Sequence, residues 1–123
     1  MLVLLILLLL SAVVAIGAIM GTQYLQGIKP KPVMIGLHLL LGIGTLEPML
    51  ILLGGTPNGE TLAAQNLGEW AAGLVALALF LGLIAAVLAR RAVPHAGWIL
   101  AIHVGAGFSG FLAFVAAVTG VAR

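Results

Sequence analysis

Long apolar runs separated by short polar interruptions make up almost the whole chain. Four runs reach the length a membrane span needs: Leu2–Met20, Val33–Leu53, Ala71–Ala89 and Gly97–Ala122. A helix rises 1.5 Å per residue, so about 20 apolar residues cross a ~30 Å hydrocarbon core. Pro30 and Pro32 punctuate the first connection and Pro94 the third. The middle connection, GGTPNGETLAAQNLGEW, is the longest polar stretch, and a short interfacial helix is expected in it from Thr61 to Leu67. Trp70 and Trp98 fall at expected span ends, where amphipathic rings settle at the headgroups. The first run lacks the positive flank of a secretory signal and is longer than its apolar core, so it reads as a true span. The expected fold is an all-α integral membrane protein, a single four-transmembrane-helix bundle over residues 1–123.

Composition removes the alternatives. Hydrophobic residues are 63% of the chain, charged residues 7%, and the mean hydropathy is +1.32. A soluble domain carries about a quarter charged residues. The net charge of +2 comes from loops and forms no basic patch, which argues against nucleic acid. Cysteine is absent, so disulfides, thiolate metal sites, iron–sulfur clusters and covalent haem attachment are excluded. The expected location is multi-pass in a lipid bilayer, the inner or plasma membrane of a bacterium.

Basic residues set the orientation. Lys29 and Lys31 lie between spans one and two, Arg90 and Arg91 between three and four, and the other side has only Arg123. The positive-inside rule puts both basic loops in the cytoplasm and both termini on the non-cytoplasmic side. Spans two and four then run in the same direction, and each carries a histidine. His38 lies about five residues into its span and His103 about six, both ~8–9 Å below the cytoplasmic boundary.

A neutral imidazole in hydrocarbon needs partners for its nitrogens. Two at matched depth on parallel helices point to a shared one. Both segments read His-x-x-x-Gly, with Gly42 and Gly107 one turn on and a small residue (Gly36, Ala101) two positions before. These small residues clear a flat space on the histidine face, either for a tetrapyrrole or for another helix. Two imidazoles with no thiolate or carboxylate beside them make a poor zinc or non-haem iron site. A porphyrin brings four nitrogens of its own, so two axial histidines complete the iron of a haem b. Lys29, Lys31, Arg90 and Arg91 lie at the nearer face, within reach of haem propionates. Each imidazole would keep one N–H for a backbone carbonyl one turn back. Against this stands the plainer reading of a histidine hydrogen-bonded to a neighbouring helix. His95, beside Pro94 at the loop edge, suits a structural or interfacial role.

Glu47 also sits in an apolar span, about two-thirds of the way across, where an ionised carboxylate is expensive. Nine residues from His38 make about 900° of helix rotation, so the two point to opposite faces. Glu47 is therefore not a haem ligand; it is read as a proton or quinone site, or as a protonated carboxyl bonded to a carbonyl freed by Pro48 or to a partner helix. The glycine runs lie within apolar spans and serve close packing. The Leu-rich first span and Ala/Leu-rich third are expected to shield the bundle.

An offset of 65 residues overlays His38 on His103 and Gly42 on Gly107. A parallel repeat of this kind relates its halves by an axis normal to the membrane. On this helix count, histidine pair and flanking glycines, the chain resembles the ascorbate-type transmembrane cytochrome b family. It also resembles the haem-binding membrane anchors of succinate and formate dehydrogenases. The ascorbate-type family carries two histidine pairs and this chain one, so the resemblance extends to a single haem and not to a two-haem relay. The expected function is a membrane-embedded electron-transfer subunit exchanging single electrons with quinone or a partner redox subunit. The alternatives are a cofactor-free or chlorophyll-type pigment-binding accessory subunit of a larger complex, and a small proton-coupled transporter using Glu47.

Overall fold

In a computed structural model, which describes residues 1–91 and 96–120, the chain is all-helical. Among the described residues it forms α1 (Leu2–Leu25), α2 (Pro32–Gly54), α3 (Gln65–Arg90) and α4 (Ala96–Thr119). All four are long and apolar enough to cross a membrane. In the most apolar window of α1, and likewise of α4, only 11% is buried, so most of this apolar surface is left for lipid.

The chain divides into two compact units, Met1–Thr61 and Leu62–Arg123. Each is a helical hairpin, α1 packed on α2 and α3 packed on α4.

In the first hairpin Ile6, Leu10, Thr45, Met49 and Leu52 are buried to 2% exposure or less. Thr45 keeps its hydroxyl satisfied by donating to the Leu41 carbonyl of its own helix at 2.7 Å. Helix α1 ends where Gly27 turns to φ +72° and the Ile28 N–H reaches back to the Gln23 carbonyl at 2.8 Å. Pro32 opens α2, where a missing N–H costs nothing. Pro48 lies inside α2, which continues through it to Gly54. No side chain of α1 caps its own start. Glu60, arriving from beyond α2, takes that role: its carboxylate accepts the Leu2 N–H at 2.9 Å and pairs with the Met1 ammonium. A carboxylate there meets both the unpaired N–H groups and the positive end of the helix dipole.

The second hairpin is built from smaller residues. Gly68, Ala71, Ala72, Val75, Ala78 and Ala85 are buried in α3; Ala106, Gly110, Phe114 and Ala117 are buried in α4. A β-carbon at Gly110 would meet Val75 Cγ2 at 3.1 Å, Leu74 Cβ at 3.2 Å and the Ala71 carbonyl oxygen at 3.3 Å. Backbones approach this closely only where side chains are absent.

The expected helix over Thr61–Leu67 does not form. Residues 55–64 are non-helical, and 65–67 belong to the first turn of α3. The Ala64 N–H instead donates to the Ala117 carbonyl at 3.1 Å, so the end of α4 anchors the entrance to α3. Helix α3 consequently starts six residues before the expected Ala71, and Trp70 lies in its second turn, 71% exposed. Helix α1 likewise runs past Met20 to Leu25, with the Thr22 hydroxyl bonded to the Ile19 carbonyl. Helix α4 stops at Thr119, short of the expected Ala122, and Gly120 follows at φ +68°.

The two hairpins share one register. Advancing 65 residues takes buried Ile6 to Ala71, Leu10 to Val75, Thr45 to Gly110, Met49 to Phe114 and Leu52 to Ala117. It takes the last residues of α1 and α2 to those of α3 and α4, and positive-φ Gly55 to positive-φ Gly120. The repeat suggested by two histidines therefore extends to five buried positions of each hairpin and to the ends of its helices.

Candidate functional site

Each hairpin seats its histidine on a glycine of the facing helix. A β-carbon built at Gly17 of α1 would lie 3.1 Å from His38 Cε1 and 3.8 Å from both ring nitrogens. One built at Gly82 of α3 would lie 2.8 Å from His103 Cε1, 2.9 Å from Nδ1 and 3.6 Å from Nε2. Gly17 and Gly82 are themselves 65 residues apart, so the glycine notch repeats with the histidine. Both imidazoles are half-buried.

The hydrogen bonding of His103 is set by α3. Its Nδ1 lies 2.7 Å from the carbonyl oxygen of Ala78, one turn before Gly82. A carbonyl only accepts, so Nδ1 carries the proton and, in the neutral ring, the lone pair is on Nε2. The expected backbone partner thus exists, but on the facing helix rather than one turn back on α4. Gly107 faces the same stretch of α3: a β-carbon there would meet Ala78 Cβ at 3.6 Å, an ordinary contact that leaves room for a methyl group. Gly42, its counterpart, is buried in α2. Gly36 faces open space, and Ala101 is exposed.

Glu47 projects from α2 with its side chain exposed, and makes no hydrogen bond or ion pair among the described residues. Of the readings open for Glu47, a bond to a carbonyl freed by Pro48 is not formed here, while Pro48 itself is buried. Since His38 turns inward to Gly17, the opposite-face relation holds. Lys29, Lys31 and Arg91 are exposed. Arg90 closes α3, but its side chain lies outside the described residues, as does His95. Among the described residues no three of His, Cys, Asp and Glu converge to hold a metal ion. A surface groove of about 540 Å³ on α3 is lined by Glu69, Trp70, Gly73, Leu74 and Leu77, and contains none of the expected site residues.

The chain matches no protein-family model, no curated protein and no solved structure. Its site must be read from its own chemistry. Gly17, Ala78 and Gly82 are the residues the histidine pattern alone did not single out. The signal was present, since the same offset overlays Gly17 on Gly82, but both lie in spans whose apolar character suggested only shielding.

The chemistry of this arrangement fits an axial haem ligand at His103. A ligating imidazole needs its second nitrogen anchored, and metal-bound histidines almost always donate that N–H to a carbonyl, carboxylate or water. The Ala78 carbonyl meets that need and leaves Nε2 as the donor atom.

Proposed function

We propose that the protein is a membrane-embedded b-type cytochrome-like subunit whose haem takes His38 and His103 as axial ligands, one from each hairpin. The observation that carries this reading is the Nδ1–H···O bond from His103 to Ala78, because it fixes the tautomer a haem ligand requires. The shared register supports the pairing, since His38 and His103 occupy equivalent positions on equivalent helices. When bound, the haem supplies one-electron redox chemistry at a potential set by its ligands and burial. The chain's own part is to hold the imidazoles at a set depth and tautomer and to keep their surroundings apolar. Lys29, Lys31, Arg90 and Arg91 are the cations available to the propionates. With so little polar surface, the protein works within a larger redox complex, exchanging electrons with quinone or a partner subunit.

In this reading both basic loops face the cytoplasm and both termini face outward, which places the haem in the cytoplasmic leaflet. A cysteine introduced at Asn58 is expected to react with an impermeant reagent added outside intact cells, and one at Ile28 is not. The reverse pattern would move the site to the other leaflet. Purified protein is expected to give a low-spin b-type spectrum that changes on dithionite reduction.

A second reading is favoured by the notches themselves. Imidazoles packed on Gly17 and Gly82 also serve as interhelical fasteners of a cofactor-free accessory subunit. Absence of haem from protein purified under haem-replete expression would favour it.

A further inference from the structure

Steric fit and hydrogen bonding act on the same ring in the second hairpin, and they act together. Gly82 leaves room for the Nδ1–Cε1 edge of His103 to lie directly against α3, within 2.8–2.9 Å of where a β-carbon would stand. Ala78, one turn earlier on the same helix face, presents its carbonyl to that edge at 2.7 Å. A side chain at 82 would push the ring outward, and the Ala78 bond would lengthen beyond hydrogen-bonding range. In hydrocarbon the displaced N–H would have no water to turn to.

We propose that Gly82 is a positioning residue that, with the Ala78 carbonyl, locks His103 in the Nδ1–H tautomer and presents Nε2 as its donor atom. Gly17 is the weaker counterpart in the first hairpin. There the ring enters Cε1 first, with both nitrogens 3.8 Å from the would-be β-carbon, so Gly17 sets the depth of His38 without selecting a nitrogen. The lock is a property of the polypeptide. It bears on ligation only through the haem reading above, and it stands or falls separately.

The test is ¹⁵N NMR of the apoprotein labelled at histidine, in bilayers at neutral pH, with His103 assigned by its loss in His103→Ala. Protonated and unprotonated ring nitrogens resonate in well-separated ranges. The expected result is protonated Nδ1 and unprotonated Nε2 for His103. Gly82→Ala is expected to lose that single state, giving mixed tautomers or Nε2–H. Gly73→Ala, at a glycine with open space around it, is expected to leave the spectrum unchanged. An Nε2–H ring in the parent protein would overturn the proposal without any variant. So would an unaltered His103 signal in Gly82→Ala. Because no haem is present, a locked tautomer in a protein that never binds haem would retire the cytochrome reading and keep this one. Haem binding with an Nε2–H apoprotein would do the opposite.

Discussion

The two hairpins keep one register with different side chains, and the contrast shows which parts of that register are constrained. At the buried position where the first hairpin has Thr45, the second has Gly110; the buried Ile6 and Leu10 of α1 correspond to Ala71 and Val75 of α3. The first fills its interface with branched and long side chains and satisfies the one buried hydroxyl within α2. The second omits a side chain where α3 lies close: a β-carbon at Gly110 would stand only 3.1–3.3 Å from Val75, Leu74 and the Ala71 carbonyl oxygen. The histidine on a facing glycine is kept in both. The buried packing residues differ between the hairpins; the histidine and its facing glycine do not.

The sharpest way to break the comparison is to copy one hairpin's residue into the other. Gly110→Thr places a branched side chain against the Ala71 carbonyl, a neighbour that cannot rotate away, and is expected to cost about 1–3 kcal/mol by overpacking. Gly44→Ala, at an exposed position of α2 with open space, is expected to change stability by less than about 1 kcal/mol, and in the favourable direction. Denaturant titration of the helical signal in detergent measures both. Equal losses would mean that the tight packing of the second hairpin contributes nothing particular.

The hairpins also differ in how the start of their first helix is held, and pH separates them. In the second, the Ala64 N–H to Ala117 carbonyl bond has no titrating group. In the first, hydrogen bonding from the Met1 ammonium, helped by the Leu2 N–H, draws the Glu60 carboxyl below its ordinary value of 4.5. A carboxylate favoured in the folded state contributes stability above its unfolded pKa and loses it as pH falls through the lowered folded value. Fraying at the start of α1 is therefore expected below about pH 4.5. Amide hydrogen exchange at Leu2 should rise there and stay flat at Ala64, and Glu60→Gln should raise Leu2 exchange at neutral pH. The contact is solvent-exposed, so this is the smallest of the effects.

These contrasts also explain what the sequence made legible. The four spans followed from uninterrupted apolar length, because hydrocarbon leaves the backbone no partner but itself. Their ends did not. Helix α1 is capped by Glu60, 58 residues from the N–H it receives, and the approach to α3 is tied to Ala117 near the end of α4; neither contact has a local signal. Hence the polar Asn66 and Glu69 read as loop residues along the sequence and yet form the first turns of α3. His38, His103 and Glu47 stood out because polar groups are expensive in lipid. Gly17 and Gly82 did not, because glycine in an apolar span is common and only the facing imidazole gives these two a role.

The central claim is the proposal that the two repeated notches hold two ligands of one haem. Haem content per polypeptide, measured on purified parent protein, His38→Ala and His103→Ala, tests it most directly. The account predicts low-spin b-type haem in the parent and its loss from both variants, with helical content retained. Full haem occupancy in either variant, or a haem-free parent from haem-replete cells, would contradict it.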